Sequence, residues 1–219
     1  MKIQEISINS SEYPEQLRNI YDPPEKLYVL GNKEILMQKG IAIVGSRKAS
    51  EYGKKVAFNI SKELSENGIN IISGLAIGID SCAHLGAINN NNNGKTIAVL
   101  ACGLDKIYPT ENRKLAVDIL NSGGCIISEY PCGYKIEKKN FPERNRIVSG
   151  LSNGVVIVEA AEKSGALITA EFAIEQGKDV FAVPGSIFSN TSTGTNKLIK
   201  DGAIMVTKYE DILNEIFLL

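Results

Sequence analysis

The sequence predicts a doubly wound α/β protein of the Rossmann-like class, built on a mostly parallel β-sheet. From residue 41 onward, short apolar runs alternate with amphipathic stretches. The runs are rich in isoleucine and valine, which is typical of parallel strands buried on both faces. Glycine, serine or proline follows most of them, as expected where a strand turns into a helix. The alternation therefore predicts six or seven strands in one sheet, with helices on both faces.

The periodicity places each element in turn. Residues 51–67 place Val56, Ile60 and Leu64 four apart, on one face of a helix, and Gly68 follows as its C-terminal glycine. Strands are predicted at 41–44, 69–72, 96–101, 125–128, 155–158, 180–183 and 203–206. Further helices are predicted at 79–88, 110–121, 143–151, 166–176, 194–200 and 208–217.

Residues 1–40 differ from the rest, because proline and glycine interrupt them repeatedly. They are predicted to form a lead-in with one strand, at 26–30, that packs on the main domain of residues 41–219.

Length and composition restrict the function. A chain of 219 residues, 43% of them hydrophobic, suits one medium domain with a buried core. Its 24 basic and 25 acidic residues give a net charge of -1, which provides no general attraction to nucleic acid or acidic membranes. A nucleic-acid function therefore requires a local basic site.

The same composition indicates a soluble, cytoplasmic protein. No apolar run approaches the roughly 18 residues of a membrane helix, and the first residues lack the apolar segment of a signal peptide. The four cysteines form no Cys-x-x-Cys pair, so free thiols in a reducing compartment are expected. His84 is the single histidine, so no histidine-based metal site is expected.

Ligands of such sheets bind beyond the carboxyl ends of the strands. The first predicted strand ends at Gly45, Ser46 and Arg47, which offer close backbone approach, a hydroxyl and a guanidinium. With the helix N-terminus that follows, they suit a phosphate. The dinucleotide fingerprint is absent, since the next glycine is Gly53, so no nicotinamide or other cofactor is expected. The alternative is a tight turn with a solvated arginine.

The segment after the fourth strand is the most informative. Arginine is scarce, at five residues against nineteen lysines, yet Arg144 and Arg146 both occur here. A guanidinium holds phosphate in fixed geometry, and Phe141 beside Lys138 offers a face for a nucleic-acid base. Five cations and two acidic residues give 131–150 a local charge of +3. The alternative is a solvated loop whose arginines pair with carboxylates.

Other strand ends are less specific. Ser164 and Gly165 open a helix after the fifth strand, either as an anion site or as an ordinary N-cap. Asp80 is expected to cap the helix at 79–88, and His84 is expected to pack inside that helix. The Gly-x-Ser-x-Gly motif at 150–154 is not a nucleophile elbow, because a helix precedes it and a strand follows.

Together, these motifs resemble the DNA-processing protein A family, also called DprA or Smf. The resemblance extends from about residue 12 to 213. Its motifs include Gly45-Ser46-Arg47, Ser73-Gly74-Leu75-Ala76, Tyr108-Pro109, Ser128-Glu129-Tyr130-Pro131, Phe141-Pro142-x-Arg144-Asn145-Arg146, Ser164-Gly165-Ala166-Leu167 and Val183-Pro184-Gly185.

The resemblance implies a protein that binds single-stranded DNA regardless of sequence, and not an enzyme. Family members protect incoming strands in natural transformation, load the recombinase RecA and act as homodimers. The residues that the resemblance assigns to DNA binding are Gly45, Ser46, Arg47, Lys138, Phe141, Arg144, Arg146, Ser164 and Gly165.

Two other functions fit parts of the sequence. A nucleotide-processing enzyme of the Rossmann-like phosphoribohydrolase type would share the phosphate site. The Pro-Gly-Gly-x-Gly-Thr-x-x-Glu motif of those enzymes is absent, and 161–166 stands in its region. A protein-interaction platform would use apolar C-terminal residues, which could equally be core. These are Ile204, Met205, Ile212, Leu213 and Ile216.

Overall fold

The computed structural model describes residues 2–90 and 93–216. Its strands are β1 (Gln4–Ser7), β2 (Lys26–Gly31), β3 (Gly40–Val44), β4 (Asn70–Ser73), β5 (Thr96–Val99), β6 (Cys125–Ser128), β7 (Gly154–Ile157), β8 (Asp179–Ala182) and β9 (Ile204–Met205). Its α-helices are α1 (Glu15–Arg18), α2 (Glu51–Glu66), α3 (Ile79–Ile88), α4 (Arg113–Asn121), α5 (Asn140–Gly150), α6 (Gly165–Glu175), α7 (Thr193–Lys200) and α8 (Tyr209–Ile216). Short 3-10 helices lie at Lys33–Met37, Thr110–Asn112 and Asn190–Ser192.

These strands form one sheet in the order β1-β2-β6-β5-β4-β3-β7-β8-β9. The strands from β3 to β9 pair in parallel, whereas β2 runs antiparallel to β6 and to β1. The chain builds the sheet outward from β3 to β6 and then crosses to β7, on the other side of β3. The predicted α/β fold class is confirmed. The crossing makes the carboxyl ends of β3 and β7 the switch point at which such sheets bind ligands.

Helices cover both faces of the sheet. Ile43 belongs to a core formed with α2, α3 and α8, while its neighbour Val44 faces a core formed with α5, α6 and the lead-in. Successive residues of a strand point to opposite faces of the sheet. Because helices cover both faces, every position of β3 is buried. This double burial explains why the strands appear in the sequence as continuous apolar runs.

Three elements differ from the prediction. Strand β1 was not predicted, because Ile6 is its one buried residue and leaves no apolar run. Helix α5 begins at Asn140 instead of 143, because the first turn of a helix tolerates Pro142. The helix predicted at 110–121 starts as a 3-10 turn. The last predicted helix is described as far as Ile216, and its final position, 217, lies outside the described residues.

The lead-in packs closely on α5. A Cβ atom at Gly150 would lie 2.7 Å from Leu17 Cδ1 and 3.2 Å from Ile20 Cγ2, so any larger residue here would displace these lead-in side chains. The side-chain amide of Gln16 donates to the carbonyl of Leu151. Because β2 also pairs with β6, the described lead-in shares one sheet with the rest of the chain.

His84 lies fully buried in α3, as the sequence predicted, with Nδ1 2.7 Å from Thr96 Oγ1. Burial, and secondarily the charge of Arg144, lower the pKa of His84 to about 3. Below about pH 6.5 the unfolded chain binds a proton here that the folded protein does not bind. We therefore expect the free energy of unfolding to fall as the pH drops from 6.5 toward 3, by up to about 1.4 kcal/mol per pH unit from this group.

Urea unfolding at a series of pH values checks this expectation. The wild type should lose stability more steeply than His84→Gln across this range, because glutamine does not titrate. Equal slopes in the two proteins would contradict it.

Candidate functional site

A pocket of about 550 Å³ opens at the carboxyl ends of β3 and β7. Its lining includes seven of the nine residues predicted for DNA binding, which are Gly45, Ser46, Arg47, Phe141, Arg144, Ser164 and Gly165. The other two, Lys138 and Arg146, lie outside the lining. The topology thus brings together residues separated by 120 positions in the chain.

Arg47 is an exposed cation at the mouth of this pocket, next to the exposed Lys48. Its guanidinium carbon lies 5.5 Å from the centroid of the Phe141 ring, a distance that allows a cation–π contact. The ion pairs formed within the described residues do not include Arg47. Its guanidinium therefore has no direct carboxylate partner among the described residues and is exposed in the pocket.

Close packing fixes the loop that carries Arg47. The backbone N–H of Ser46 donates to Glu159 O over 2.7 Å, and the Ser46 hydroxyl accepts from the N–H of Lys48 over 3.1 Å. A Cβ atom at Gly45 would lie 2.7 Å from Ile79 Cγ1 and 2.9 Å from Glu159 O. Glycine is required here by the close approach of α3 and the end of β7.

Glu159 holds two of the pocket walls together. Its carboxylate is buried and accepts from the Ser50 N–H at 2.8 Å, the Ser50 hydroxyl at 2.6 Å and the Thr191 hydroxyl at 3.0 Å. Ser50 caps α2, and Thr191 lies in the 3-10 helix Asn190–Ser192, which follows β8. Sequence reasoning assigned Glu159 no role, since its partners are far away in the chain.

Asp80 braces the loop after β4. Its buried carboxylate accepts from the N–H groups of Gly74 at 3.1 Å and Ala76 at 3.3 Å. Burial raises the pKa of Asp80, and the nearby Arg144 charge opposes that rise. The expectation that Asp80 caps α3 is wrong, because Gly78 occupies the cap position and the carboxylate turns back to the loop.

Arg144 forms the floor of the pocket. It is 6% exposed and donates to the carbonyls of Gly74, at 2.7 Å, and Val99. Burial lowers the pKa of Arg144, while Asp80 opposes that change. A guanidinium held in this way supplies a fixed positive charge beneath any bound anion.

Arg146 points away from the pocket. Its guanidinium makes two bonds to the Glu129 carboxylate, at 2.8 and 2.7 Å, and one to Asp22 at 2.9 Å. Burial disfavours its charged form, but the hydrogen bond and charge of Glu129 outweigh burial and raise its pKa. The alternative of arginine pairing with carboxylates therefore describes Arg146. Lys138 is exposed just before α5.

The two helices that border the pocket are joined to each other. The amide of Asn145 in α5 donates to Gly165 O at the start of α6, over 3.2 Å. At the far end of α5, Lys178 Nζ donates to the carbonyls of Ser149, Gly150 and Ser152 at 2.6 to 2.7 Å. A cation on these terminal carbonyls stabilises the helix that carries Phe141.

Helix α6 presents its N-terminus to the pocket. Ser164 accepts from the Ala166 N–H at 3.3 Å, so it is the N-cap. A Cβ atom at Gly165 would meet nothing within 4 Å, so the backbone is open to a ligand there. The N–H groups of a first helical turn favour an anion.

The structure holds few other candidate sites. Ser152 of the Gly-x-Ser-x-Gly motif is buried, follows α5 and precedes β7, the reverse of the order that a nucleophile elbow requires. The four cysteines are free, as predicted. Over residues 2–90 and 93–216, no three His, Cys, Asp or Glu side chains are arranged to hold a metal ion, and no helix is long and apolar enough to cross a membrane.

The whole chain is similar to known proteins. A family model described as DNA recombination-mediator protein A matches residues 4–217. The chain belongs to the DNA recombination-mediator protein A family. It is 46% identical over 215 residues to DNA processing protein DprA of Bacillus subtilis (strain 168), which covers 98% of this chain and 71% of that relative. The predicted resemblance is confirmed.

Solved structures agree with membership of the DNA recombination-mediator protein A family. DNA processing protein A from Streptococcus pneumoniae has a TM-score of 0.91 at 43% identity, covering 99% of this chain and 75% of that one. DNA processing protein A from Helicobacter pylori, described for its unique single-stranded DNA binding mode, has a TM-score of 0.86 at 33% identity. That match covers 98% of this chain and 96% of the other. A molybdenum cofactor binding protein from Rippkaea orientalis, at 17% identity and TM-score 0.56, shares the fold alone.

Proposed function

We propose that this protein binds single-stranded DNA, independently of sequence, in the pocket at the ends of β3 and β7. The observation that carries the proposal is the Arg47 guanidinium, 5.5 Å above the Phe141 ring and without a carboxylate partner among the described residues. Membership of the family and the DNA-binding relative from Helicobacter pylori support it.

Different residues of the pocket bind the phosphate and the base of the DNA strand. A backbone phosphate is held by Arg47, the Ser46 hydroxyl and the N-terminus of α6, above the fixed charge of Arg144. A base stacks on Phe141, and stacking accepts any base because each has an aromatic face. Phosphate contacts and stacking together give affinity without sequence readout.

The remaining predicted residues have smaller parts in the proposal. Gly45 and Gly165 let the strand approach the backbone. Lys138 is an exposed cation that can meet a phosphate outside the pocket. A DNA contact by Arg146 stays a prediction, and its test is given in the Discussion.

The hydrogen bonds of Asp80 favour binding without catalysis. This acidic side chain lines the pocket, but its carboxylate already accepts two backbone N–H groups. A carboxylate so engaged is poorly placed to transfer protons to a substrate. The nucleotide-processing enzyme remains the alternative prediction.

Family membership supports finer roles in the same proposal. These are protection of incoming strands in natural transformation, loading of RecA, and action as a cytoplasmic homodimer. Of the C-terminal apolar residues, Ile212 is buried core, while Met205 is 51% exposed.

Affinity for an oligothymidine, measured at several salt concentrations, tests the proposal. Arg47→Ala should cost about 1.5–3 kcal/mol of binding free energy, as for a hydrogen bond to a charged group. It should also make the slope of log affinity against log salt concentration less negative by about 0.7, the value for one lost phosphate contact on a single strand. Phe141→Ala should cost about 1–3 kcal/mol and leave the slope unchanged.

Arg113→Ala is the matched control, because it removes an exposed guanidinium from the start of α4, outside the pocket lining. Wild-type affinity in both Arg47→Ala and Phe141→Ala would reject this pocket as the DNA site.

A further inference from the structure

The loop after β8 exposes two large apolar side chains at the edge of the sheet where the pocket opens. Ile187 is 81% exposed and Phe188 is 95% exposed. One exposed apolar side chain is ordinary, but two in succession, one of them aromatic, form a small apolar surface in contact with water. This pair, here called the β8 platform, has no role in the proposed function.

The β8 platform lies beside the pocket. Strand β8 pairs with β7, and β7 pairs with β3, so the loops after these three parallel strands stand side by side. Thr191, three residues after Phe188, lines the pocket. Three residues of chain span at most about 11 Å, so the backbone of Phe188 lies within that distance of the pocket wall.

Hydrogen bonds fix the loop that carries the platform. The N–H of Phe188 donates to Ser186 Oγ at 3.2 Å, and the N–H of Ser189 donates to Ser186 O at 3.0 Å. The side-chain amide of Asn196 pairs with both backbone groups of Gly185, at 3.1 and 3.0 Å. A loop held in this way presents the Phe188 ring with little ordering cost when a ligand binds.

Cations lie between the pocket and the platform. Lys48 lines the pocket, and Lys163 lies in the loop after β7, next to the exposed Glu162. Both lysines are exposed, and the ion pairs formed within the described residues include neither. The edge of the sheet therefore carries an aromatic ring at each end, Phe141 and Phe188, with cations between them. Alternating rings and cations are what a single strand of nucleic acid requires.

The small size of the platform selects its occupant. A specific protein interface buries about 800 Å² on each partner, whereas one aromatic side chain supplies about 150–250 Å². The exposed residues on either side of the pair, Ser186 and Asn190, are polar, so the apolar surface ends there. One flat, exposed ring among polar groups and cations suits a nucleobase better than a folded partner.

We propose that Phe188 is a second stacking site, on which a base of the same DNA strand rests after the strand leaves the pocket. This inference rests on the proposed function and extends it. The phosphates between the two stacked bases pass Lys48 and Lys163. The strand is then held at two aromatic points, so affinity should depend on whether the strand is long enough to reach both.

The test measures oligothymidine affinity by fluorescence anisotropy, with strands of about 4 to 16 nucleotides, the range of site sizes of single-strand binding folds. The shortest strands fill only the pocket, so Phe188→Ala should bind them as wild type does. Strands long enough to reach the platform should bind Phe188→Ala about 5- to 30-fold more weakly. This is the lower part of the range for a lost base stack, because the exposed ring stacks on one side only.

Four further variants show whether stacking and phosphate contact are responsible. Phe188→Tyr keeps the ring and should match wild type, whereas Phe188→Leu keeps apolar bulk without a ring and should resemble Phe188→Ala. Lys163→Ala should make the slope of log affinity against log salt concentration less negative by about 0.7, for long strands only. Tyr21→Ala is the control, since it removes a fully exposed ring from the lead-in and should match wild type.

Several outcomes would overturn the inference and leave the proposed function intact, with Arg47→Ala still weakening binding at every length. These are wild-type affinity of Phe188→Ala or Phe188→Leu for long strands, or an equal loss at every length. A lower mass of DNA-free Phe188→Ala in light scattering would assign the platform to contact with a second copy instead, and would overturn it too. If wild type binds no strand of any length, the proposed function fails and this inference with it.

Discussion

Replacing Arg146 by alanine should lower the free energy of unfolding by about 3–5 kcal/mol, the usual result of removing one partner of a buried ion pair. The variant would leave the Glu129 carboxylate, whose side chain is 15% exposed, without the guanidinium that now makes two bonds to it. It would also release Asp22, through which Arg146 holds the lead-in to α5.

Urea unfolding of Arg146→Ala checks this result. Lys139→Ala is the matched control on the same segment, because Lys139 pairs with Glu137 at 3.1 Å but both side chains are largely exposed. A surface pair of this kind contributes about 0–1 kcal/mol. Unchanged stability in Arg146→Ala, together with a loss of oligonucleotide affinity, would contradict the structural role and support the DNA contact predicted from the sequence.

Gly78→Ala should destabilise the protein by about 2–5 kcal/mol and weaken DNA binding as well. Gly78 has a φ of 91° and a ψ of -125°, a conformation that costs a side-chain-bearing residue about 1–3 kcal/mol. A Cβ atom there would also collide with the carbonyl of Ser46 and lie 2.8 Å from that of Arg47. The loop that presents Arg47 would therefore have to move.

Gly177→Ala separates the effect of backbone strain from that of the collision with the Arg47 loop. Gly177 also has a positive φ, of 66°, but a Cβ atom there would meet nothing within 4 Å. This control should lose about 1 kcal/mol through backbone strain alone and keep full DNA affinity. Equal losses of stability in Gly78→Ala and Gly177→Ala, with unchanged affinity in both, would show that a Cβ atom at Gly78 does not displace the Arg47 loop.

The fold was predictable because each central strand is buried on both faces and so appears as an apolar run. The position of the pocket was predictable for a related reason, since parallel strands bring their carboxyl ends to one edge of the sheet. Strand β1 was not predictable in this way, because it lies at an edge and buries only Ile6.

The roles of the two arginines in α5 needed the structure. Residues two apart on a helix point in nearly opposite directions, so Arg144 and Arg146 cannot both face the pocket. Helical spacing shows that only one of the two arginines can face the pocket, but it does not show which one. The hydrogen-bond partners determine which arginine faces the pocket. Arg144 binds Gly74, whereas Arg146 binds Glu129 and Asp22, and all three partners lie on other elements of the chain. Glu159 was assigned no role for the same reason, since Ser50 and Thr191 are far from it in the chain.

The pairing of β2 with β6 has a consequence for the order of folding. Gly31 lies opposite Cys125, 94 positions later, so the lead-in leaves the ribosome long before the strand that receives it. At synthesis rates of roughly 5–20 residues per second, the delay is on the order of 5–20 s. During that time Leu27 and Val29, fully buried in the finished sheet, have β1 on one side but lack β6 on the other. The lead-in residues are therefore made well before their place in the finished sheet exists.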